Sequence, residues 1–74
     1  MNIGDTVTIN NIPTYQEFDA VGISYFFEQI SKHFLDKNGV VDKVDDQAVC
    51  IEFKNEKYDY CWFPISSIRS ANTN

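Results

Sequence analysis

The chain has 74 residues, enough for one domain, and its 11 acids against 6 bases give a net charge of −5. That balance excludes the clustered positive charge that a phosphate backbone or an anionic membrane surface needs. A chain this short buries only about 60% of its unfolded surface, so its six Phe, four Tyr and one Trp must supply most of the core.

"GDTVTI" alternates, with Val7 and Ile9 on one face and Thr6 and Thr8 on the other, which predicts a strand entered through a Gly4-Asp5 turn. "NNIPTYQEFDAVG" has no clear period, and Pro13 interrupts any regular element there. Ile23, Phe26, Phe27, Ile30 and Phe34 then fall at helical spacing and make one apolar stripe. Ser24 as a cap and the Glu28–Lys32 pair support a helix over about residues 24–36, with Asn38-Gly39 as its left-handed stop. From Gly39 the pattern is that of strands: "GVVDKV", "AVCIEF" and "YDYCWF", separated by the turns "DDQ" and "KNEK". Pro64 ends the last strand, "PISSI" is expected as a 3₁₀ turn, and "RSANTN" as a fraying polar end. The domain is therefore taken as 1–69, with 70–74 as a tail.

A turn centred on Asn55-Glu56 places Phe53 opposite Tyr58, Ile51 opposite Tyr60 and Val49 opposite Trp62. In that register all six share one apolar face, and the aromatics of "YDYCWF" are mainly core. The other face carries Ala48, Cys50, Glu52, Asp59, Cys61 and Phe63. The helix stripe has two surfaces to cover, the inner face of this hairpin or its Ala48/Phe63 end, and the pattern leaves both open.

Gly4-Asp5-x-Val7, then Gly39-x-Val41-x-x-Val44 leading into Val49-x-Ile51-x-Phe53, and finally Trp62-Phe63-Pro64 with Ile68 form a spaced series over residues 4–9 and 39–68. This series resembles the small SH3-like barrels, in particular KOW-type and mind-bomb-type repeats. The resemblance implies a strongly bent five-stranded sheet. Relatives bind RNA, polymerase surfaces, peptide tails or modified side chains, and the absence of basic loops here favours the protein-binding branch. The expected fold is α+β: a small SH3-like antiparallel β-barrel with one helix inserted between its first and second strands.

Chemistry-bearing residues are few. Cys50 and Cys61 face each other in the expected register and read as small buried hydrophobes; a zinc site needs about four ligands, and His33 is the single histidine. Glu52 and Asp59 also face each other, with Lys54 and Lys57 as diagonal neighbours. No catalytic constellation, metal site or cofactor motif is found, so the protein is expected to be non-enzymatic and to need no cofactor. The start "MNIGDTVTIN" has no basic-apolar leader, and no apolar run approaches the ~18 residues of a membrane span. A soluble, cytoplasmic protein with reduced cysteines is expected.

Tyr15 and Tyr25 lie off the apolar stripes, and with the rim of Trp62 they make a candidate contact patch. Asp42, Asp45 and Asp46 cluster at the first β-turn. These six residues are the candidate partner-binding set. The leading function is a module that binds another protein through an aromatic and acidic surface, with no direct nucleic acid or membrane contact; a homo-oligomer is one form of it. The alternative is an acidic inhibitor that presents carboxylates in place of nucleic-acid phosphates to a DNA- or RNA-binding protein.

Overall fold

Val7 and Ile9 point into the core in β1 (Thr6–Ile9) of the computed structural model, which describes residues 1–54 and 56–71. β1 pairs with β2 (Asn38–Val44), β2 with β3 (Ala48–Glu52), and β3 with β4 (Tyr60–Pro64), all antiparallel. A fifth strand, β5 (Ile68–Ser70), returns to the free side of β1. The sheet order β4-β3-β2-β1-β5 leaves β4 and β5 as edges, and no ladder joins them among the described residues. The expected tail therefore begins inside a strand. Ser70 pairs with Val7, and the Ala71 N–H donates to the Thr6 carbonyl at 3.1 Å. Residues 72–74 of that tail, and Asn55 of the expected turn, lie outside the described residues.

Two helices, not one, separate β1 from β2. The first, α1 (Tyr15–Ala20), occupies the stretch without an apolar period. Its signal is a capping box instead: the Glu17 N–H donates to Thr14 Oγ1, and the Thr14 N–H donates back to the Glu17 carboxylate. It ends at Gly22 (φ 76°), where the Gly22 N–H donates to Asp19 and the Ile23 N–H to Phe18, the Schellman pattern. The second helix, α2 (Tyr25–Ser31), starts at Ser24, whose hydroxyl accepts from the Phe26 N–H, and tightens into a 3₁₀ turn at Lys32–Phe34.

The inward stripe of α2 is rotated from the expected one. It runs Phe27, Ile30, Ser31, Phe34, while Phe26 is 55% exposed. Ser31 is tolerated inside because its hydroxyl donates to the Glu28 carbonyl at 2.8 Å. The left-handed residue after this element is Asp36 (φ 63°), not the Asn38-Gly39 pair, which opens β2. Gly39 serves a close approach between strands: a Cβ there would meet the Ile51 side chain and lie 2.8 Å from the Glu52 carbonyl oxygen.

The hairpin register differs from expectation by one residue. Val49 pairs with Phe63, Cys50 with Trp62, Ile51 with Cys61 and Glu52 with Tyr60. The Phe53 N–H donates to the Asp59 carbonyl at 2.7 Å and closes the loop. Val49, Ile51 and Phe53 point inward as predicted, but they meet Cys61 and Phe63, both fully buried, and not Tyr60 and Trp62. The physical reason is polar. A buried Tyr hydroxyl or Trp indole N–H needs a partner, whereas Phe and Cys bury without one. Glu52 and Asp59 are consequently not opposed, nor are Cys50 and Cys61.

The core centres on four phenylalanines, each worth about 1.5–3 kcal/mol on burial. Phe34 stacks on Phe53 with ring centroids 4.0 Å apart, and Phe63 meets both edge-on at 6.3 Å. Phe18 of α1 joins through Phe63. Thus the helices cover the inner face of the sheet. A bulge at Asp42, where the ladder shifts between Val41 and Lys43, bends β2. No helix among the described residues is long and apolar enough to cross a membrane.

Candidate functional site

The one-residue offset puts Trp62 on the outer face of β4, half-buried, beside Cys50. There it helps to line an open cleft of about 210 Å³. One wall is the α1–α2 connection, residues 21–24, with Phe27 behind it; the other is Asp45, Ala48 and Trp62.

Each wall has a local cause. Gly22 ends α1 and turns the chain so that Ile23 packs back on the core. Across the cleft the Asp45 N–H donates to the Ala48 carbonyl at 2.8 Å, which closes the β2–β3 turn. Asp45 Oδ1 accepts from the Asp46 N–H at 2.9 Å within the same turn. Among the described residues Asp45 is the one charged residue lining the cleft.

Of the aromatic candidates Trp62 lines the cleft, whereas Tyr15 and Tyr25 are not among its lining residues. Tyr15 and Tyr25 are 51% and 59% exposed and meet edge-to-face at 5.9 Å. Tyr25 directly follows the lining residue Ser24 in the chain. Phe26 extends the aromatic surface to Phe27 at 5.3 Å and to Tyr58 at 6.3 Å. Of the acidic candidates, Asp45 reaches the cleft, Asp46 is exposed in the same turn, and Asp42 lies at the bulge. Lys37–Glu56 at 3.4 Å is the ion pair among the described residues, so none of these three carboxylates has a cationic partner there.

No protein-family model, curated protein or solved structure matches the chain. The site is therefore read from its own chemistry.

That chemistry is quiet. Cys50 and Cys61 are both buried and both free. Burial pushes the Cys61 thiol up, and burial followed by the nearby Asp42 charge pushes up Cys50. Both stay protonated near neutral pH and are poor nucleophiles. Tyr60, exposed on the outer face, donates to Glu52 at 3.2 Å, and that hydrogen bond raises its phenol.

The cleft wall formed by Val21, Gly22, Ile23 and Phe27 is absent from the six residues proposed from sequence. Thr14-x-x-Glu17 followed by Gly22 was the signal available: a capping box and a left-handed terminator that together mark a helix end at this point.

Proposed function

We propose that the protein is a non-enzymatic interaction module of SH3-like architecture that binds a partner protein at the Trp62 cleft. The observation that carries this is the outward placement of Trp62 in an open cleft; Tyr25 and Phe26, which lie in the chain between the lining residues Ser24 and Phe27, are each more than half exposed. Trp and Tyr combine large contact area with few rotatable bonds and dominate binding interfaces. Five antiparallel strands and the bend at Asp42 support the SH3-like reading, with α1 and α2 as the insertion between the first two strands. Thiols held protonated support a role without nucleophilic chemistry, and two free cysteines suit a reducing compartment such as the cytoplasm. Self-association through the same face is one form of this function.

The unpaired carboxylates of Asp42, Asp45 and Asp46 favour a second reading, an acidic decoy for a nucleic-acid-binding protein. Affinity capture from the native cell separates the two. Capture through the cleft falls when Trp62 or Tyr25 is changed to Ala and persists when Leu35, exposed and outside the cleft lining, is. A decoy instead loses its partner steeply with rising salt and tolerates Trp62→Ala. Capture that is indifferent to Trp62, Tyr25 and salt alike contradicts both.

A further inference from the structure

Resting on the reading of the Trp62 cleft as the binding face, we infer that the cleft takes one cationic side chain, an arginine or lysine, of the partner protein. The cleft's size, lining and charge each bear on this. At about 210 Å³ it is smaller than the roughly 300–1,000 Å³ of small-molecule and cofactor sites. It matches a single long side chain.

Apolar side chains stand on both sides, Val21, Ile23 and Phe27 across from Ala48 and Trp62, and polar atoms make up much of the remaining lining. A purely aliphatic anchor would suit those walls, but the rim carries Asp45. Asp45 Oδ1 is held by the Asp46 N–H, while its other oxygen has no partner among the described residues. An arginine or lysine meets both requirements at once. Its methylene stem lies along Trp62 and Phe27, and its head reaches the Asp45 carboxylate. The Trp62 ring adds attraction for a cation over its face.

The surrounding charge agrees in sign. Lys43 lies on the same outer row, paired with Cys50, which in turn pairs with Trp62. Asp42, Asp45 and Asp46 outnumber it at this end of the sheet, and the whole chain carries −5. A basic partner is therefore steered toward this face and an acidic one is repelled.

Trp62 is the single tryptophan, so its emission reports on the cleft directly. The test titrates the full chain with three capped amino acids: N-acetyl-argininamide, N-acetyl-citrullinamide, which has nearly the same shape without the charge, and N-acetyl-norleucinamide, which is apolar. The expected result is a saturable change in Trp62 emission with the arginine probe, about two- to fivefold weaker with citrulline, the range of an exposed ion pair. Asp45→Asn retains the oxygen that accepts from Asp46 and should keep the fold; it is expected to abolish the arginine preference. High salt should do the same in the unaltered chain. Equal response to all three probes, or preference for norleucine, overturns the cationic inference while leaving an apolar interface in place. No saturable response to any probe also overturns it. The interface reading fails separately, by partner capture that ignores Trp62→Ala.

Discussion

Cys50 stands opposite Trp62 across the β3–β4 ladder, and this pairing sets the whole outer face. Residues on facing strands that pair directly share a face, and their chain neighbours point to the other. Cys50 and Trp62 therefore go outward together, while Ile51 and Cys61 go inward together. The Trp62 cleft and the closed core are two consequences of the same register.

Cys50 and Cys61 leave the sheet on opposite faces, so their Cβ vectors diverge and cannot meet the geometry of a disulfide without moving backbone. Mild oxidation of the native protein should yield no intrachain disulfide. Maleimide labelling should be slow at both cysteines in buffer and complete at both in urea, read by mass spectrometry. Rapid native labelling of Cys61 would contradict its burial.

A pH dependence follows from the buried thiol. Burial raises Cys61 above the ordinary thiol range, so the folded state holds its proton more tightly than the unfolded chain does. That contribution is complete below about pH 8.5 and is lost as pH rises from there toward the folded value. The urea midpoint of the protein should fall on going from neutral to strongly alkaline pH. In Cys61→Ala the fall should be smaller, so the stability gap between the two proteins narrows with pH. A gap that widens would mean that the thiolate is the form the fold prefers.

Much of this architecture is legible in the residues. The two-residue period of Val7 and Ile9, and of Val49, Ile51 and Phe53, identifies β1 and β3 and their inward faces, because alternation needs no knowledge of a partner. β4 is different. In "YDYCWF" both alternations offer bulky side chains, Tyr58, Tyr60 and Trp62 on one and Cys61 and Phe63 on the other, so period alone does not select a face. The decision comes from hydroxyl and indole groups that lack buried partners, and from a loop closed by Phe53 and Asp59. α1 is hidden for a related reason. Only Phe18 of its six residues is buried, so it shows no stripe, and its evidence lies in the Thr14 and Gly22 ends. Tyr15, Tyr25, Trp62 and Asp45 are identifiable as surface candidates, but the wall that faces Trp62 and Asp45 across the cleft depends on the end of that hidden helix.

Gly39 illustrates a position fixed by packing between strands. Its missing Cβ leaves room for the Ile51 side chain and the Glu52 carbonyl, and the latter is backbone that cannot step aside. Gly39→Ala should cost about 1–3 kcal/mol, the range for overpacking a core. Gly22→Ala is a useful comparison, because nothing lies within 4 Å of its Cβ and only the positive φ is strained. Its loss should be about 1 kcal/mol. Denaturant midpoints of the two variants measure the difference.

Ser67 is fully buried, and its hydroxyl has no hydrogen-bond partner among the described residues. An unsatisfied buried hydroxyl costs about 1–3 kcal/mol, so its removal relieves that cost. Ser67→Ala should raise the unfolding midpoint, or at least leave it unchanged, even though it deletes a core atom. A marked loss of stability would show that the hydroxyl is satisfied in solution.

The outward Trp62 is best tested by cross-strand nuclear Overhauser effects in the β3–β4 hairpin. Because Phe53 and Asp59 share a hydrogen-bonded pair, Cys50–Trp62 and Glu52–Tyr60 are non-hydrogen-bonded pairs, the kind in which Hα atoms approach most closely. Strong Hα–Hα effects are expected between Cys50 and Trp62 and between Glu52 and Tyr60. Corresponding effects between Val49 and Trp62, or between Ile51 and Tyr60, would turn the tryptophan into the core and remove the cleft on which the binding reading stands.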